Sequence, residues 1–211
     1  MRNYERCEPV FAGDRQLSRI ARALNAALIL NREAQLTELT THTRYVYKGR
    51  LLRLRLDNVT LPNGYKTVRE IVEHPGAVAI IPRLADNRIL LVKQYRRAAK
   101  RKMMEIPAGT LERGESPTSC ARRELAEETG YAPKRLTSLF SCFLAPGYST
   151  EKIHFFLATN LVLKKIEHPQ DEVIETRAMR LDECLRAILD GKIQDAKTVC
   201  GLYYLAASRE K

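Results

Sequence analysis

Between Gly109 and Tyr131 the chain reads GTLERGESPTSCARRELAEETGY, and its acidic residues are spaced for chemistry. Glu124, Glu127 and Glu128 stand at i, i+3 and i+4, positions that share one face of a helix. Glu115 lies on the segment that feeds that helix. Like charges so placed repel one another and hold their protons more tightly, unless a cation sits among them. The arrangement is unfavourable as surface decoration and useful as ligation. Carboxylate oxygens in this number suit Mg²⁺ or Mn²⁺, and no His or Cys joins the acidic cluster, which argues against zinc.

A solvated acidic face would account for Glu127-Glu128 taken alone. It does not account for the full spacing: Gly109, five residues, Glu115, seven residues, Arg123-Glu124-Leu125, one residue, Glu127-Glu128, one residue, Gly130-Tyr131. From ordinary residue frequencies, a chance match in a chain of this length is on the order of one in ten million.

With every fixed position filled, the segment resembles a complete Nudix box. The resemblance implies an α/β fold, the Nudix α/β/α sandwich with a mixed sheet, in which the box forms loop–helix–loop. It further implies that Glu124 and Glu128 are the main metal ligands, with Glu127 assisting and the Ala108 carbonyl adding an oxygen. Glu115 and Arg123 would hold loop and helix together by pairing, beside the fixed glycines Gly109 and Gly130. Metal ions on a diphosphate neutralise developing charge and hold a water for in-line attack, so hydrolysis of a phosphoanhydride is the expected reaction. The water's proton needs an acceptor. The acidic loop His168–Glu175 offers Glu172 first and Glu175 second, and Glu127 is a third candidate; loop acids simply facing solvent would read the same way.

Three further features are similar to the ADP-ribose pyrophosphatase branch of that family: Glu105-Ile106-Pro107-Ala108-Gly109 leading into the box, Pro146 sixteen residues past Gly130, and the ending Asp190-Gly191-Lys192-Ile193 with Asp195-Ala196-Lys197-Thr198. The resemblance covers about residues 40 to 208. It implies ADP-ribose as substrate, cut to AMP and ribose 5-phosphate, with Arg69, Arg96 and Pro146 at substrate-contacting positions, and a homodimer in which both chains hold substrate. Another nucleoside diphosphate sugar such as GDP-mannose is the nearest alternative. A non-catalytic module binding ADP-ribose or RNA is the more distant one, and it sits poorly with a box that keeps all its glutamates.

The elements that must position these residues are legible in pattern. Residues 1–38 read as an extension with a helix, since Leu17, Ile20, Ala21, Leu24, Ala27 and Leu28 keep helical spacing. Residues 39–74 read as a small antiparallel β unit. Arg44–Val59 reads as one strand, Pro62-Asn63-Gly64 as a turn and Tyr65–Val72 as the partner strand, with too little core to stand alone. Residues 75–211 form the main domain. Ala77–Pro82, Ile89–Tyr95, Leu136–Leu144, Ile153–Leu161 and Val173–Met179 read as strands, and Leu181–Leu189 and about Ala196–Ser208 as helices. The box helix runs from Ser116, a good N-cap followed by Pro117, to Gly130 as its C-terminal stop. Arg97, Lys100, Arg101 and Lys102 read as solvated charge.

Bulk composition fits an enzyme of this kind. The chain has 211 residues with 45% hydrophobic and 29% charged, which excludes a disordered chain. No apolar run reaches the roughly 20 residues a membrane span requires. The five cysteines are odd in number and never CxxC, so reduced thiols in a cytoplasmic protein are expected. The net charge of +11 is uneven: residues 1–103 carry 21 basic and 9 acidic side chains, and the remainder 15 and 16. With no nucleic-acid fingerprint among the basic residues, a nucleic-acid partner is not expected. A surface that draws a small anion toward cation-holding carboxylates fits better, as does plain solvated charge.

Overall fold

Strand β4 (Ala77–Pro82) alternates its side chains between two apolar layers, and the main body is built around that alternation. Val78 and Ile80 point to one side, where Phe156 and Ala158 join them against Cys120, Ala121 and Leu125 of a helix. Ala77, Ala79 and Ile81 point to the other, packing with Ile153, Phe155, Cys184, Ala187, Leu202 and Leu205. A strand apolar on both faces is one that helices cover on both faces. The computed structural model describes residues 36–164 and 173–208, so the expected helix over Leu17–Leu28 lies outside the described residues. Two compact units are distinguished: residues 36–44 with 56–69, and residues 45–55 with 70–208.

The first strands, β1 (Leu39–Lys48), β2 (Arg53–Thr60) and β3 (Lys66–Glu73), form a three-stranded sheet in the order β1-β2-β3. This corrects the two-stranded expectation. The run Arg44–Val59 is broken where the Gly49 N–H donates to the Leu52 carbonyl at 2.8 Å, a tight turn that no Asn, Asp or Pro marks. The turn expected at Pro62-Asn63-Gly64 is present, closed by Gly64 N–H to Leu61 O at 2.9 Å.

In the larger unit, one sheet has the order β7-β4-β9-β8, with β7 Ala108–Thr110, β8 Tyr131–Phe143 and β9 Lys152–Leu163. Strands β4 and β9 run parallel, while β7 and β8 lie antiparallel to their neighbours, so the sheet is mixed. A second sheet, order β10-β5-β6, joins Glu175–Met179, Ile89–Arg96 and Arg101–Glu105 in antiparallel register. The short strands β6 and β7 escaped the sequence reading. β6 is basic at its start because its edge faces solvent, and β7 has only three residues.

Helix α1 (Pro117–Thr129) covers one face of the mixed sheet. The Ser116 hydroxyl caps its N-terminus by accepting from the Ser119 N–H at 3.2 Å. Gly130 ends it with φ of 72°, a left-handed conformation that costs little only without a Cβ. Helices α2 (Leu181–Leu189) and α3 (Ala196–Ala207) cover the other face. Together these layers make the mixed α/β sandwich.

Phe155 is fully buried and stacks on Phe140 with ring centroids 4.3 Å apart. Phe155→Ala is expected to cost about 3–5 kcal/mol of stability, read from urea denaturation of the two proteins side by side.

Candidate active site

Glu124 lies against the backbone of Gly109. A Cβ built at Gly109 would come within 1.8 Å of the Glu124 carboxyl carbon, so the first glycine of the box is the space that the glutamate occupies. Glu128, one turn on, is only 6% exposed, and its Oε2 accepts from the Ala108 N–H at 3.1 Å. The structure therefore brings together Ala108, Gly109, Glu124 and Glu128, because β7 passes directly beside α1.

Arg123 organises the remaining acids. Its Nε and Nη2 donate to the two oxygens of Glu115 at 3.0 and 2.9 Å. Its Nη1 donates to Glu124 Oε1 at 2.7 Å and Glu127 Oε2 at 3.1 Å, and Nη2 also reaches the Thr110 carbonyl at 3.3 Å. A planar fork with five donors can serve several carboxylates at once, which a lysine could not do in the same geometry. These hydrogen bonds hold the Glu115 carboxyl down at about 2, with the Glu112 N–H helping. The neighbouring Cys120 is buried, and that burial, together with the charges of Glu115 and Glu124, pushes its thiol up to about 12, which makes it a packing residue.

The donor set suits a divalent cation in its chemistry. Among the described residues, no three acidic, His or Cys side chains already converge as a complete site. The fit rests on donor chemistry and placement: two carboxylates, Glu124 and Glu128, sit at the glycine-lined edge of β7 beside the backbone of Ala108, and all are hard oxygen donors.

The other expected site residues are placed as follows. Arg96, at the end of β5, donates to Glu105 through Nε at 2.8 Å and Nη2 at 2.7 Å, and the charge of Glu128 contributes to raising its proton affinity. Arg69 lies in the smaller unit, where it is paired through Nε and Nη2 with Glu38. Pro146 is exposed on the loop after β8, whose base is tied to Val72 by Val72 N–H to Tyr148 O at 2.8 Å. Glu175 begins β10, exposed, with Lys93 Nζ 3.9 Å from its carboxylate. Glu172 lies outside the described residues.

Two groups of residues near the box were not singled out by sequence. One lines a cleft of about 910 Å³ beside the box loop, including Arg50, Arg53, His74, Thr110 and Arg113. Arg50 and Arg53 stand 60–63 positions before Arg113, a separation that carries no spacing signal. The other is the buried pair Glu105 and Lys197, with Lys197 Nζ 2.5 Å from Glu105 Oε2. Their signal was present only as the similarity of two separate short segments.

A carboxyl whose pKa falls on folding stabilises the fold above its unfolded value and loses that contribution as pH drops through the folded value. For Glu115 the interval runs from 4.5 down to about 2. Glu115→Gln is therefore expected to be less stable than wild type at pH 7 in urea denaturation. The gap should narrow below about pH 4.5 and close toward pH 2.

Comparison with known proteins places this geometry. The NUDIX domain model matches residues 73–201, and the nucleoside diphosphate sugar hydrolase N-terminal domain model matches residues 38–72. The chain is 42% identical over 170 residues to a methanol dehydrogenase activator of Bacillus methanolicus, covering 80% of this chain and 92% of that protein. It is 40% identical over 172 residues to an ADP-ribose pyrophosphatase of Bacillus subtilis (81% and 93% covered), and 34% over 147 residues to a GDP-mannose pyrophosphatase of Yersinia enterocolitica (65% and 76%). A crystal structure of an ADP compounds hydrolase superposes with a TM-score of 0.74 over 83% of this chain and 96% of that one, at 24% identity, which bears on the fold. With the glutamates packed on the glycine edge of β7 and both models covering nearly all described residues, the chain is a member of the Nudix family, a pyrophosphohydrolase carrying the nucleoside diphosphate sugar hydrolase N-terminal domain.

Proposed function

We propose that this enzyme hydrolyses the diphosphate of ADP-ribose to AMP and ribose 5-phosphate. The observation that carries the reading is the seating of Glu124 on Gly109 and of Glu128 on Ala108, which puts two carboxylates side by side at a backbone edge. The choice of ADP-ribose is supported by the 40% identity to the Bacillus subtilis pyrophosphatase along nearly its whole length. GDP-mannose is the second reading, favoured by the relative at 34%.

In this proposal Glu124, Glu128 and the Ala108 carbonyl would hold Mg²⁺ or Mn²⁺, with Glu127 assisting, and the bound cation would supply charge neutralisation at the phosphoryl oxygens and activation of the attacking water. The chain supplies the rest. Arg123 keeps the acids from splaying apart, and Glu115 keeps Arg123 in place. Arg96 and Arg69 bind the anionic substrate, and Pro146 shapes the loop against it. The cleft beside the box loop offers Arg50, Arg53 and Arg113 to a nucleotide's charge. The water's proton goes to an acid of the segment 168–175, Glu172 before Glu175, or to Glu127.

A second copy of the chain completes this picture. Every residue of β1 is exposed, including Leu39, Tyr45, Val46 and Tyr47, and an uncovered strand with such side chains calls for a partner. Light scattering is expected to give twice the monomer mass of 24.1 kDa; a monomer at micromolar concentration would contradict the dimer. Among the described residues no helix is long and apolar enough to cross a membrane, and the reduced-thiol cysteine pattern supports a cytoplasmic enzyme.

The substrate assignment is tested by a panel of nucleoside diphosphate sugars, with phosphate release coupled through a phosphatase. ADP-ribose should be among the fastest, and a place among the slowest would overturn the assignment. EDTA should abolish turnover, and added Mg²⁺ or Mn²⁺ should restore it.

A further inference from the structure

Among the described residues, the most buried carboxylate of the larger unit is not in the box. Glu105 is 1% exposed and stands three residues before Ala108. Both its oxygens are engaged by Arg96, and Oε2 also accepts from Lys197 Nζ at 2.5 Å. Lys197 donates again, at 2.8 Å, to Asp195 Oδ1. The other oxygen of Asp195 takes the Thr198 N–H at 2.9 Å and the Thr198 hydroxyl at 2.6 Å, and that hydroxyl accepts from the Ile106 N–H at 2.9 Å. The first turn of α3 thus grips two consecutive residues of the strand leading to the box, one by side chain and one by backbone.

This grip bears on Arg96. A guanidinium is planar, so once Nε and Nη2 are fixed on Glu105 the direction of Nη1 is fixed too. The orientation of Arg96 is then only as definite as that of the Glu105 carboxylate, and Lys197 is the second cation that pins it. Charge matters as well. Arg96, Glu105, Lys197 and Asp195 sum to zero; without Lys197 the group carries one net negative charge where a diphosphate must bind. Burial pushes the Glu105 carboxyl up, but Arg96 and Lys197 together outweigh it and keep it ionised.

We propose that Lys197 is a positioning residue for substrate binding: through the Glu105 carboxylate it sets the orientation of Arg96 and removes the negative charge that would repel the diphosphate. The inference rests on the reading of Arg96 as a substrate-binding group. It does not depend on which nucleoside diphosphate sugar is cut.

The test uses the full-length enzyme with magnesium and whichever nucleoside diphosphate sugar it hydrolyses fastest. Lys197→Met and Lys197→Gln should raise KM about tenfold, the cost of one lost charge-assisted contact, with kcat changed less than about threefold. Lys197→Arg should restore KM to within about threefold of wild type. In an Arg96→Ala background, Lys197→Met should add no further rise in KM. Melting temperatures of all variants are measured alongside. A lower melting temperature with KM unchanged in both Lys197 variants would mean a merely structural role and overturn the inference. If Arg96→Ala itself leaves KM unchanged, it is the assignment of Arg96 that fails, and the inference falls with it. If Arg96→Ala raises KM and the Lys197 variants do not, the inference fails alone.

Discussion

Three carboxylates in one loop and one helix, Glu115, Glu124 and Glu127, would push each other apart, and the single guanidinium of Arg123 is what holds them. It bonds Glu115 with two nitrogens, Glu124 and Glu127 with the third, and the Thr110 carbonyl besides. A pair on the open surface contributes little, because water screens it and two flexible side chains must be ordered. Here the partners are largely shielded, and each bond fixes the direction of the next. The result is an acidic wall whose shape is set by Arg123.

The layered sheet gives this wall its backing. β4 lies between β7 and β9, and its alternate side chains lock α1 on one face and α3 on the other. α1 carries the box acids, while α3 carries Lys197 and Thr198, so both approach the same stretch of chain, residues 105–109, from different directions. Gly201 lets α3 come close: a Cβ there would meet Ile106 Cδ1 at 3.2 Å. Packing and chemistry therefore share the same few contacts.

Much of this was legible in the sequence, for local reasons. The box helix announced itself by Ser116, Pro117 and Gly130, and the helical spacing of its glutamates put them on one face without reference to the rest of the molecule. What escaped depended on distant partners. The chain reversal at Gly49 lacks the Asn, Asp or Pro that marks a turn, so β1 and β2 read as one strand. β7 is too short to show alternation and exists as a strand because β4 is beside it. Arg96 and Glu105 are not register partners, since Arg96 lies opposite Arg101 and Glu105 opposite Val92, so their pairing runs diagonally between strands and no spacing rule reveals it. The expected ligands and the proton acceptor came through family resemblance, and the loop that holds Glu172 lies outside the described residues.

Glu105 and Ile106 find their partners 92 positions further along the chain. A ribosome delivers a protein from its N-terminus, so the box can be finished while the helix that braces its approach strand is still unmade. Until that helix emerges, a carboxylate destined for the interior has one cation fewer and a backbone N–H has no acceptor. A helix made later than the box thus closes the scaffold, and a nascent chain cut off before it would carry every box residue without the brace behind them.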